Sequence, residues 1–151
     1  MLQYLEFFAL LALVSAAFAQ VEIQAEGPFG WGEKFPTWRV NNRLTRLVWG
    51  NKPVTGCHCF MVIFMLAMVH FPFCGGGATW SWPLEARVLA FMIWFWIFED
   101  FLWFVLNPAF GLRRFKRSEI WWHSKGWFWF MPGGYWMGLP IGLALYVWSL
   151  H

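Results

Sequence analysis

The sequence predicts an all-α integral membrane protein, one domain over residues 1–151 with four transmembrane helices joined by interfacial, aromatic-rich loops. Composition is the first reason. The chain is 60% hydrophobic, 23% aromatic and 13% charged, with 14 Trp and 18 Phe, against about 25% charged residues in ordinary soluble domains. A water-soluble core of this size cannot hide so much apolar surface. The second reason is the spacing of charge: four stretches, about 2–19, 54–73, 84–106 and 133–150, are nearly free of Lys and Arg and approach the roughly 20 apolar residues that cross a bilayer. Only helices or closed barrels satisfy the backbone in lipid. The third is where the basic residues lie. Lys34, Arg39, Arg43, Arg46 and Lys52 fall between the first and second stretches, Arg113, Arg114, Lys116, Arg117 and Lys125 between the third and fourth, and none in "CGGGATWSWP". The positive-inside rule puts both basic loops in the cytoplasm and both termini outside, in the inner membrane if the cell is prokaryotic.

The first stretch has a rival reading, because "VSAAFAQ" ends in the small-x-small pattern of a signal-peptidase site. Its n-region, "MLQYLE", carries Glu6 and no basic residue. A cleaved leader would export both basic loops, against the same rule. The polar region from Gln20 to Lys52 begins with "EGPFGWGEKFPTW", whose Gly, Pro and aromatics predict an irregular segment on the membrane interface. In "VNNRLTRLVW", Val40, Leu44, Leu47 and Val48 share one face of a short amphipathic helix, which Pro53 closes.

The second stretch carries Cys57, His58 and Cys59 near its cytoplasmic end and His70 and Cys74 toward the outside. The cysteine positions are a bilayer apart, so they predict no disulfide. "GGG" then makes a tight outer connection. The loop from Asn107 to Pro132 follows the third stretch. Arg113, Arg114, Lys116 and Arg117 in it would attract anionic lipid head groups, each worth about 1 kcal/mol near the surface. Charges placed against a membrane argue against nucleic acid. The last stretch repeats Gly134, Gly138 and Gly142 every four residues, a stripe for close helix packing either within the chain or in a homo-oligomer or larger complex. Pro140 should kink it.

The most informative segment is "FEDFLWFVLNPAFG", Phe98 to Gly111. Glu99 and Asp100 lie well inside the ~30 Å hydrocarbon layer if the third helix is centred near Phe95. A carboxylate at that depth faces the bundle, finds a partner or takes a proton. Trp96, Trp103 and Asn107 share stripes with the acids, and the indoles can donate to them. Asn107-Pro108 breaks the helix and frees carbonyls that, with Asp100 and Asn107, would suit a divalent cation. His123 returns to the same side.

Three functional classes follow. The first is a ligand site at Glu99, Asp100, Asn107, His123, Trp96 and Trp103, binding or translocating a cation or the polar head of an amphiphile. The second is a metal-dependent enzyme acting on lipid, with Glu99, Asp100, His123 and His58 as candidate ligands and His123 as candidate base, although no spacing is a metal signature. The third is a non-catalytic accessory subunit of a membrane complex. Haem is disfavoured, because only His58 with His123 or His70 with His151 could pair at one depth, and both partners lie in a loop or at a terminus. A structural alternative pairs Glu99 and Asp100 with Arg39, Arg113 or Arg114 at the cytoplasmic mouth.

Overall fold

A computed structural model describes residues 2–49, 52–123 and 126–151. The chain is mostly helical: α1 (Leu2–Glu26), α2 (Arg43–Trp49), α3 (Gly56–Cys74), α4 (Trp82–Leu106) and α5 (Gly133–Trp148), with a 3-10 turn at Leu112–Arg114. Strands β1 (Arg39–Val40) and β2 (Val54–Thr55) pair antiparallel, as do β3 (Trp127–Phe128) and β4 (Met131–Pro132). Among the described residues, three segments are long and apolar enough to cross a bilayer: Tyr4–Glu26, Gly56–Cys74 and Trp82–Leu106.

α1 runs further than its apolar stretch. Leu11, Ser15, Ala19, Glu22, Ile23 and Glu26 are all buried, and their spacing is one continuous helical face. Hydropathy ends near Ala19, but the helix continues because its two carboxylates point inward. Gly27 stops it at φ +62, its N–H bonding back to the Ile23 carbonyl at 2.8 Å, a left-handed cap that glycine adopts without strain.

The short α2 begins with a reciprocal cap: Asn42 Oδ1 accepts from Thr45 N at 2.9 Å, and Thr45 Oγ1 accepts from Asn42 N at 2.8 Å. Val40, assigned to that helix on periodicity, lies in β1 instead, paired with Val54. Thr55 caps α3 by accepting from His58 N at 3.2 Å. Of α3 only Gly56 and Met65 are buried, so this helix stands lightly against the others.

α4 is the central element. Ser81 caps it and Pro83 occupies its first turn. At its other end Asn107 closes the helix twice over. Its Oδ1 accepts from Ala109 N at 2.9 Å, and its Nδ2 donates to the Gly27 carbonyl at 2.8 Å, tying the ends of α1 and α4 together. α5 lies antiparallel along α4. Arg87 donates to Ser149 Oγ at 3.3 Å and to the Ser149 carbonyl at 3.1 Å, while Tyr135, one turn into α5, reaches Asp100. Gly138 and Gly142 are taken up by this packing. A Cβ on Gly138 would lie 2.6 Å from Ile97 Cδ1, and one on Gly142 would lie 2.4 Å from the Trp94 indole nitrogen. Gly134 meets nothing within 4 Å.

Two clusters fill the interior. Leu11, Met65, Met92, Trp94, Phe95 and Tyr146 form one. Ala19, Ile23, Trp103, Phe104, Phe110, Ile120 and Trp122 form the other, beneath the loop that follows α4.

Candidate functional site: an acidic cavity between the helices

Between the two clusters lies a cavity of about 670 Å³. α1 contributes Glu22 and Glu26, α3 contributes His58 and Val62, and α4 contributes Trp96, Glu99, Asp100 and Trp103. The long loops close it with Trp31, Lys52, Trp122 and His123, and the first turn of α5 adds Tyr135.

His123 is set in place by its neighbour. Trp122 stacks on Phe104, with centroids 5.8 Å apart and planes at 15°. It fits there because Gly30 has no side chain, since a Cβ would come within 2.1 Å of the Trp122 ring. The next residue then turns into the cavity, and His123 Nε2 stands 3.0 Å from Asp100 Oδ2. The β3–β4 hairpin positions the third member. Gly133 N donates to the Gly126 carbonyl at 2.6 Å, closing the hairpin, and the Tyr135 hydroxyl donates to the same Asp100 oxygen.

Glu99 has a different environment. It is 3% exposed, and its carboxyl meets that of Glu22 in hydrogen-bonding contact. Its Oε1 has no hydrogen-bond partner, while the buried Trp103 indole faces the Glu26 carboxyl. Glu26 accepts from Gly32 N at the loop end of the cavity. Opposite the acids, Trp31 stacks on His58 at 3.9 Å and 21°. Lys52 Nζ lies 3.6 Å from the centroid of the Trp31 ring. His58 Nδ1 is 2.5 Å from Thr55 Oγ1. Burial pushes the Lys52 ammonium down from 10.5 to about 8, with the charge of Asp100 opposing that shift.

Of the residues singled out from sequence, Glu99, Asp100, Trp96, Trp103, His123 and His58 all line this cavity. Asn107 does not. Both ends of its side chain are spent on backbone groups, so the hard-cation site expected at the helix break is not assembled there. Among the described residues, no three His, Cys, Asp or Glu side chains are grouped to hold a metal ion. Two of the three arginines expected as partners are engaged elsewhere. Arg114 pairs with Glu119 at 3.1 Å, and Arg39 donates to the carbonyls of Phe35, Thr37, Gly32 and Glu33. Nor do the indoles satisfy Glu99 and Asp100: a second carboxyl meets Glu99, and histidine and tyrosine meet Asp100.

Glu22, Glu26, Lys52 and Tyr135 were not foreseen in the site. The signal for the two glutamates was present in the spacing from Leu11 to Glu26. Tyr135 and Lys52 reach the cavity through loop geometry, which leaves no periodic trace in the sequence. At the opposite end of the bundle, Glu85 bonds His70 at 3.1 Å and Trp80 at 2.9 Å, and Arg87 holds the end of α5. No known family model, curated protein or solved structure matches the chain.

Proposed function

We propose that the protein spans the membrane four times, with α5 as the fourth span, and that the acidic cavity binds the cationic head of a ligand inside the cytoplasmic half of the bundle. The observation that carries this reading is a buried, unpartnered polar atom, Glu99 Oε1, on the wall of a 670 Å³ cavity. A buried acceptor without a partner costs about 1–3 kcal/mol, and a ligand placed against it recovers that. Four carboxyl groups face one lysine and two histidines across the space, so the cavity favours positive charge.

An organic ammonium fits better than a bare metal ion. The volume is many times that of an ion, and the ligand sets that metals require are not grouped among the described residues. The aromatic wall has the right chemistry as well, since Trp31 already carries the Lys52 ammonium on its face. A desolvated contact of this kind is worth about 2 kcal/mol.

For the spans, α5 runs antiparallel to α4 over nearly its full depth, and its 16 residues rise about 24 Å. The outward faces of the helices carry Leu13, Ile63, Phe64, Phe71, Met137 and Leu143, as lipid contact demands. The two basic loops place the cavity toward the cytoplasm, where Arg113 and Arg117 meet anionic head groups. Equilibrium binding of tetramethylammonium to the intact protein tests the reading, and an affinity indifferent to Glu99→Gln and Asp100→Asn would contradict it.

A further inference from the structure

The carboxyl groups on the wall of the acidic cavity are satisfied in two ways. Asp100 has the His123 ring nitrogen at 3.0 Å and the Tyr135 hydroxyl against it, and Glu26 has Gly32 N and the Trp103 indole. Those donors bring their own hydrogens, so neither contact requires a proton on the carboxyl. Glu22 and Glu99 differ, because they meet each other. A carboxylate only accepts, so two carboxyls in hydrogen-bonding contact hold a proton between them. With Glu22 at 9% and Glu99 at 3% exposure, little water screens the pair, and two bare like charges there would repel strongly. The same Glu99 carboxyl carries the unpartnered Oε1. The other titratable groups face the pair from every wall: Glu26 on α1, Asp100 on α4, His58 on α3, Tyr135 on α5, and Lys52 and His123 from the loops.

We infer that the cationic head and the proton shared by Glu22 and Glu99 exclude each other, so that the cavity is a cation/proton exchange site. This rests on the head-group reading above and adds what regulates that site. As an organic ammonium settles against Glu99, the O–H bond of the pair breaks and its proton passes to solvent. No bond to the ligand forms, a positive charge replaces a positive charge, and the net charge of the cavity is the same before and after. Both carboxyls are then carboxylates, and the ammonium supplies the attraction that the proton supplied before. A quaternary head carries no N–H, so it meets the pair as charge alone and cannot coexist with the shared hydrogen bond. The sign follows: affinity for the cation rises with pH, by about tenfold per unit while the free site holds the proton, and acid empties the site.

The test uses the full chain in phosphatidylglycerol nanodiscs with tetramethylammonium as the probe, at a pH below the value of about 8 where Lys52 gives up its own proton. Calorimetric titration in buffers of different ionisation enthalpy counts the protons released. Infrared difference spectra, recorded as the probe is washed in, identify the group that releases them. The expected result is about one proton per cation bound, with loss of a carboxylic acid C=O band and gain of carboxylate bands. Glu22→Gln offers Glu99 an amide N–H in place of the shared proton, so the acid band should vanish from its difference spectrum, whereas Glu26→Gln should keep it. Binding with no proton released, or release without loss of an acid band, as from Lys52 or His123, overturns the exchange while the head site stands. An acid band kept in Glu22→Gln or lost in Glu26→Gln does the same. If Glu22→Gln does not fold, the unmodified protein and Glu26→Gln still decide. Failure of tetramethylammonium to bind the unmodified protein overturns the head site, and the exchange falls with it.

Discussion

His123 Nε2 lies 3.0 Å from Asp100 Oδ2, and the Tyr135 hydroxyl donates to the same oxygen. One carboxylate oxygen thus joins the third long helix, the loop after it and the first turn of the last helix. This junction is both the anchor of the cavity and its most polar corner. Tyr135→Phe removes one donor without changing shape, and a hydrogen bond to a charged group is worth about 1.5–3 kcal/mol. Thermal unfolding in detergent should show a loss in that range, and Asp100→Ala, which strands His123 and Tyr135 together, should lose more.

The glycine stripe of α5 gives a position-by-position expectation. Gly142→Val and Gly138→Val push side chains into Trp94 and Ile97, and overpacking of this kind costs about 1–3 kcal/mol. Gly134→Ala meets open space and should leave stability within about 0.5 kcal/mol. Melting temperatures of the three variants check the order, and a loss for Gly134→Ala equal to the others would contradict the packing.

Lys52 makes stability depend on alkaline pH. Burial lowers its folded value to about 8 from 10.5, so between those two pH values the unfolded chain binds more protons than the folded one. Stability from this group therefore rises with pH across the window from about 8 to 10.5, and the full cost of the buried charge is present below it. Lys52→Met should abolish the gain. Comparing the slopes of melting temperature against pH for the two proteins checks this, and identical slopes would show that Lys52 is not desolvated.

The proposed orientation rests on the two basic loops. With Cys57, Cys59 and Cys74 replaced by serine, Thr79→Cys should react with an impermeant maleimide applied to intact cells, and Arg113→Cys should react only after the membrane is opened. Labelling of Arg113→Cys from outside would reverse the topology.

How much of this could be read from the sequence depends on which force sets each feature. The apolar stretches are legible as helices because a long apolar segment must bond its backbone polar groups within itself, and Glu99 and Asp100 came to notice as carboxylates set inside such a segment. The end of α1 escaped notice because a hydropathy argument treats Glu22 and Glu26 as reasons to end the segment. They continue the helix because Glu99, Gly32 and the cavity receive them. A reading by spacing, from Leu11 through Ser15 and Ala19 to Glu26, follows the helix to its true end. Asn107 misled in the opposite direction. A polar residue at a helix break resembles a ligand, but two unpaired backbone groups, Gly27 O and Ala109 N, claim it first. The approach of Tyr135 depends on a hairpin turning at Trp129, at φ 54, and no local pattern announces such a long-range return.

The central claim is that the acidic cavity holds a cationic head, and calorimetric titration of tetramethylammonium into the protein in phosphatidylglycerol nanodiscs tests it most directly. The account predicts saturable binding at one site per chain. Asp100→Asn and Glu99→Gln, both shape-conserving, should each weaken it about tenfold or more, since losing a charge-assisted contact of 1.5–3 kcal/mol corresponds to that factor. Binding absent from the unmodified protein, or equally strong in both variants while they remain folded, would contradict it.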